Sequence, residues 1–456
     1  MSKVIGETRS VCPVCLRTIP AQKIVGEDGC IYIEKSRPAH GHWLTLIWEG
    51  DAASYAAWAA RDQHTPSTLP FAKASEKGCP NDCGLCTNHR QATCCTLLEL
   101  TQRCNLACPV CFASSAGESG GVSRDLSLEE IARQYDHLMA HGGPYNIQLS
   151  GGEPTLRDDL AEIIALGRER GFTFFQLNTN GLRLAEEKGY AEHLAQAGVS
   201  TVFLQFDGLD DAIYRVLRGR ALTATKLAAI ENCKRAGLPL VLVPTLARGV
   251  NDQALGEILQ FALAQAPYVR GVHIQPMSFF GRNSLDPETA RLTIPAVLRL
   301  IEAQTHGLMK ASDFSGGGAE NPYCSFHASY IRSASGITAL PKRAGSSCCQ
   351  SSETRDTVAR GWSAKASCCE AAPPQDACCC GGASADDSDT ASLDVFLQQI
   401  VENTFTVSGM VFQDAWNLDL ERLQRCYICE VDSAYGMVPF CAYNLTNIDG
   451  KALYRR

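Results

Sequence analysis

Between residues 94 and 310, short apolar runs alternate with helical stretches. Leu97–Thr101, Asn146–Ser150, Phe174–Asn178, Val202–Phe206, Leu240–Thr245 and Val272–Gln275 read as strands, and most end in or just before Gly, Asn or Asp. Stretches near 128–140, 158–170, 186–196, 210–236, 252–265 and 294–306 read as helices. Parallel strands need a crossover of a dozen or more residues, usually a helix. The repeated strand–helix unit therefore predicts an α/β fold with a parallel sheet. Six units suit an open, partial (β/α)6 barrel of the TIM type. The spacing alone also allows a doubly wound sheet.

In barrels of parallel strands the chemistry sits at the C-terminal ends of the strands, and every candidate motif falls at such an end. Cys104, Cys108 and Cys111 follow the first strand in a C-x3-C-x2-C spacing. Iron–sulfur cubanes are normally held by four cysteine thiolates. A loop offering three leaves one iron open to another ligand; a structural zinc loop is the alternative. Ser150-Gly151-Gly152-Glu153-Pro154 follows the second strand. Its glycines allow the backbone to approach a ligand, and Glu153 can hold a cationic group. Asn178-Thr179-Asn180-Gly181 ends the third strand, with Asn180 a candidate contact. Gln205 and Asp207 alternate at the end of the fourth, facing the lumen together. On the sixth, His273, Gln275 and Met277 alternate, and His273 reads as a structural histidine.

The chain has 23 cysteines, clustered at the short spacings of metal ligands. Cys79, Cys83 and Cys86 repeat the C-x3-C-x2-C pattern. A second cubane with Cys94 or Cys95 as fourth ligand, or a zinc site completed by His89, fits that segment. Cys12-Pro13-Val14-Cys15 forms a knuckle that pairs with Cys30 and His40 as a mononuclear iron or zinc site. Cys426, Cys429 and Cys441 offer a third cluster site, with Cys324 available as a fourth ligand.

The 456 residues allow more than one domain. The segments read as a Cys-rich metal-binding unit (1–93), the barrel (94–310), a connecting segment (311–343), a Cys-rich low-complexity insertion (344–390) and a C-terminal cluster-binding extension (391–456). Within the last, Leu393–Val401 reads as helix and Phe405–Phe412 as strand. The insertion is small, polar and aperiodic, which predicts weak order. A net charge of −8 argues against nucleic acid as the main partner. No run is long enough to span a bilayer, and residues 1–9 lack the apolar core of a signal peptide. A cytoplasmic location is the expectation.

RCNLACPVCF, SGGEPTLRDDL, NTNG and LQFDG together resemble the radical SAM superfamily. CPVC near the start, the Pro38-Ala39-His40-Gly41 turn, GCPNDCGLC and the Pro439–Asn444 segment narrow that resemblance. They are similar to class D radical SAM methylases and archaeal tetraether lipid synthases. The resemblance implies S-adenosylmethionine (SAM) on a [4Fe-4S] cluster held by Cys104, Cys108 and Cys111. It implies SAM contacts from Gly151, Gly152, Glu153 and Asn180, to which the lumen pair Gln205 and Asp207 adds two candidates, and further clusters besides. A low-potential ferredoxin or flavodoxin is then the electron donor, and an unactivated carbon of a small or lipid-like substrate is alkylated, methylated or coupled. The chain departs from the family at Arg37, where the pattern has a cysteine. Cys348, Cys349, Cys368, Cys369, Cys378, Cys379 and Cys380 are similar to cysteines of a radical SAM (seleno)protein sub-branch. They suggest transfer of a soft element such as S, Se or As as a second reading. A multi-cluster electron-transfer or redox-sensing protein is the third.

Overall fold

The computed structural model describes residues 3–60, 73–115, 125–317, 320–333, 336–341, 355, 359, 361–363, 402–434 and 436–455. The seven cysteines from Cys348 to Cys380, and the helix expected at 393–401, lie outside these residues.

Ile31-Tyr32-Ile33-Glu34-Lys35 alternates with period two, and Ile31, Ile33 and Lys35 are the buried members. That alternation builds β3 (Ile31–Arg37) into an antiparallel sheet with β1 (Lys3–Val11), β2 (Thr18–Val25) and β4 (Gly41–Trp48), in the order β1-β2-β3-β4. The sequence reading found little regular pattern here, because each run is short and broken by turns.

The second sheet holds β5 (Cys95–Thr101), β6 (Asn146–Gly151), β7 (Phe175–Thr179), β8 (Thr201–Gln205), β9 (Leu240–Val243), β10 (Thr245–Leu246) and β11 (Val269–Pro276). Strands β5, β6, β7, β8, β9 and β11 are neighbours in sequence order and parallel throughout. A doubly wound sheet reverses its strand order partway; this one does not. Leu98, Leu100, Ile147, Leu149, Phe175, Leu177, Val202, Leu204, Leu240, Leu242, Val272 and Ile274 share one core with the crossover helices. The helices thus cover one face, which is the barrel solution. The stretch expected as one helix over 210–236 is two, Asp211–Arg218 and Thr223–Arg235. Gly219 at φ 82° closes the first, a left-handed cap that glycine adopts without Cβ strain.

The sheet continues past the six strands at both ends. The connecting segment supplies β12 (Ser325–Ser333) and β13 (Gly336–Ala339). The C-terminal segment supplies β14 (Thr404–Met410), β15 (Ile428–Asp432) and β16 (Gly436–Pro439). β14 lies parallel to β11 and β15 parallel to β5. The C-terminal residues are therefore built into both open edges of the barrel.

The other face of these strands is the lumen. Glu99, Gln148, Asn178, Phe203, Gln205, Val243, His273, Gln275, Thr406 and Ser408 are half-buried, while the residues alternating with them on the helix face are buried. Side chains enclosed by a sheet yet still accessible border open space. Trp362 packs with Phe174, Val241 and Phe203 near the N-terminal ends of the strands, its ring 5.8 Å from that of Phe203.

Candidate metal and cofactor site

The chain leaving β5 turns into the loop of Cys104, Cys108 and Cys111, the first two buried and the third half-buried. Burial pushes the Cys104 thiol up to about 12, and the nearby Glu153 carboxylate adds to it. Burial also raises Cys108, offset in part by the cations Arg218 and Lys226. Such thiols become thiolates by binding metal, which releases their protons.

Two basic residues hold this loop, and a third braces the strand ends beside it. Arg218 donates from Nη1 to the carbonyl of Val110 at 3.3 Å. Arg282 donates from Nε to the carbonyl of Cys108 at 2.7 Å, and its backbone exchanges two hydrogen bonds with Cys111. Buried Lys226 donates to the carbonyl of Asn180 and to Gln205 Oε1. The sequence reading missed all three. Arg218 had a signal: it stands four residues after Tyr214, on the buried face of its helix.

The glycines of Gly151-Gly152 serve the chain's own backbone. A Cβ on Gly151 would stand 2.3 Å from the carbonyl oxygen of Thr101, and one on Gly152 would stand 2.2 Å from that of Arg103. Their absence lets Gly152 and Glu153 donate backbone hydrogen bonds to Thr101 and Arg103, both at 2.8 Å. The segment expected to approach a ligand is thereby tied to the entry of the cysteine loop. Glu153 is buried and accepts from the amide and hydroxyl of Thr155, the hydroxyl of Thr179 and the amide of Asn180. It locks the end of β6 to that of β7 and places a carboxylate beside Cys104.

Three further candidates also act on the chain. The Asn180 amide donates to Asn105 Oδ1 inside the cysteine loop, and its Oδ1 accepts from the amide of Leu182. Asp207 is fully buried and takes Arg218 through both oxygens, at 2.7 and 2.8 Å. Gln205 accepts from Lys226 at 3.2 Å. The lumen pair expected at 205 and 207 is divided: Gln205 borders the lumen, and Asp207 is committed to Arg218. His273 shares a hydrogen bond with Ser408 at 2.9 Å, and burial holds its imidazole neutral, near 4. Met277 is buried in an apolar cluster.

The remaining cysteines sort into separate groups. Cys12, Cys15 and His40 have ligand atoms all within 4.8 Å of one another, with Cys12 Sγ 3.2 Å from His40 Nδ1. Cys30 does not join them. The knuckle lies in the β1–β2 turn and His40 in the β3–β4 turn, whereas Cys30 leads into β3 at the other end of the sheet, where Val25 pairs with Ile31. The trio has the donor chemistry of a mononuclear zinc or iron ion.

Cys79, Cys83 and Cys86 line one cavity with His89. Cys94 and Cys95 are not in its lining. Cys95 Sγ accepts from Gln148 at 3.4 Å, and Cys94 carries electrostatic contacts with Glu320 and Arg355. Cys324, Cys426 and Cys441 interact electrostatically with one another, and Cys324 Sγ lies 3.5 Å from the Arg422 guanidinium. Cys429, on β15, lies 3.5 Å from the Thr93 hydroxyl and also interacts electrostatically with Cys426.

Residues 98–262 match the radical SAM superfamily, and residues 4–49 match the HMPTM N-terminal zinc ribbon domain. A 7,8-dihydro-6-hydroxymethylpterin dimethyltransferase of Methanocaldococcus jannaschii is 44% identical over 313 residues, covering 68% of this chain and 60% of that protein. A GTP 3',8-cyclase of Edwardsiella ictaluri is 34% identical over 206 residues, covering 44% of this chain and 61% of that protein. The crystal structure of Streptococcus suis SuiB bound to S-adenosylmethionine aligns over 48% of each chain, with 16% identity and a TM-score of 0.40.

Proposed function

From the premise that residues 98–262 are a radical SAM superfamily domain, we propose that this protein methylates or alkylates a carbon of a small, polar, planar heterocycle held in the lumen. A pterin is the class that fits best. The observation that carries this reading is the lumen itself. Gln148, Asn178, Gln205, Gln275 and His273 are half-buried polar side chains on the lumen face, linked in part to one another and to neighbours. The relative from M. jannaschii is named for a pterin substrate. Amides with both donor and acceptor atoms suit the edge of such a ring better than an acyl chain. The lipid-like substrate allowed by the sequence is disfavoured on that ground.

Cys104, Cys108 and Cys111 would hold the cubane, and the segment around Glu153 would face the charged end of SAM. When bound, the reduced cluster and SAM supply a carbon-centred radical by reductive cleavage of the sulfonium. The chain's own part is positioning. Arg218, Arg282 and Asn105 fix the cysteine loop, and Asn178 donates to Gln148 at 3.2 Å. The electron comes from a low-potential ferredoxin or flavodoxin.

The test uses anaerobic, reduced protein with SAM and a 6-hydroxymethyl dihydropterin. A product heavier by one or more methyl groups is expected. Gln148→Leu and Asn178→Leu should each raise KM about tenfold, the value of one lost hydrogen bond of ~1.4 kcal/mol. SAM cleavage with no pterin product, and turnover of an acyl lipid instead, would overturn the substrate reading.

A further inference from the structure

We propose that Cys79, Cys83, Cys86 and His89 hold an auxiliary iron–sulfur cluster whose fourth ligand is Nε2 of His89. The four side chains line one small cavity together with Leu85, Leu423, Gln424 and Pro439. His89 is 6% exposed, and its Nε2 is buried with no hydrogen-bond partner. A buried nitrogen left without a partner is destabilising, and a ligand bond removes that cost. Its other ring nitrogen is held by the backbone of Cys426 and Gln91. That is the arrangement that orients metal-binding histidines.

Of the other candidates for the fourth position, Cys95 accepts from Gln148, and neither Cys94 nor Cys95 lines the cavity. The C-x3-C-x2-C spacing, which the chain also uses at Cys104, Cys108 and Cys111, is the spacing of a cluster site that needs one ligand more. Replacing one thiolate by neutral imidazole makes the cluster less negative and raises its potential, as histidine ligation does in Rieske centres.

The position supplies a role. Pro439 lines the cavity, and the next residue, Phe440, lies 5.9 Å ring to ring from Phe112, which follows Cys111. The centre is thus joined through packed aromatic rings to the loop of Cys104, Cys108 and Cys111. It would serve as an electron store of higher potential than an all-thiolate cubane.

The experiment takes full-length, anaerobically reconstituted protein carrying Cys104, Cys108 and Cys111→Ala, grown with ¹⁵N-histidine. On reduction, the paramagnetic signal should show hyperfine coupling to one histidine nitrogen. In His89→Cys that coupling should vanish and the midpoint potential should fall, while iron per chain stays constant. In Cys83→Ser the coupled signal should disappear. Zinc in place of iron at this site, or a cluster without nitrogen coupling whose potential is unmoved in His89→Cys, would overturn the proposal. Labelling needs no substitution at position 89, so a misfolded variant would not leave the question open.

Discussion

Asp207 and Arg218 meet in a doubly hydrogen-bonded pair, with side chains 0% and 6% exposed. Removing one member of such a pair leaves an uncompensated buried charge, at a cost of about 3–5 kcal/mol. Arg218→Met should lower unfolding stability by that amount, read by chemical denaturation. It should also lower cluster retention, because the tether to Val110 goes with it. Asp207→Asn combined with Arg218→Met should recover most of the stability but not the iron per chain. That split separates a positioning role from a purely structural one. The residue scale is also where sequence reading reached least far. The cysteines were legible because thiol spacing is a direct signature of ligation. Asp207, Asn180 and the glycines were legible as special, but their partners come from distant elements. Nothing in a linear motif says that a Cβ at 152 would strike the carbonyl of Arg103.

At the scale of elements, the N-terminal sheet brings one metal trio together and leaves one cysteine out. Cys12→Ser or His40→Gln should each release about one zinc or iron per chain, measured by elemental analysis of the purified protein. Cys30→Ser should release none, since Cys30 lies at the far end of β3. The same strand carries Lys35, buried against Ser10 and the carbonyl of Ala415. Burial draws its pKa down to about 7, with Asp414 opposing the shift. The folded value lies below the unfolded one, so between pH 7 and the ordinary value near 10 the folded chain carries fewer protons. Stability contributed through Lys35 therefore rises with pH in that window, by up to about 1.4 kcal/mol per unit. Lys35→Met should flatten the rise of the denaturation midpoint between pH 7 and 9. The strands of the larger sheet were legible as apolar runs. Those of the ribbon were hidden, although Ile31–Lys35 carries a clear alternation, because four short strands are separated by turn-rich, cysteine-bearing loops.

At the scale of the molecule, the described strands form a consecutive, one-sided parallel sheet whose two edges are extended by C-terminal strands. The barrel was legible because strand–helix alternation sets chain topology. Placement of β14 and β15 at opposite edges was not, since no local pattern encodes which edge a late strand will join. That placement brings Cys324, Cys426 and Cys441 against the barrel and seats Phe440 beside Phe112. The central claim is that Cys104, Cys108 and Cys111 hold the cluster that cleaves SAM. It is tested most directly by quantifying 5′-deoxyadenosine and methionine from anaerobically reduced, reconstituted protein. Cleavage of SAM is expected, falling at least a hundredfold when the three cysteines become alanine, with the other metal sites retained. Intact SAM after reduction of fully loaded protein, or undiminished cleavage by the triple variant, would contradict it.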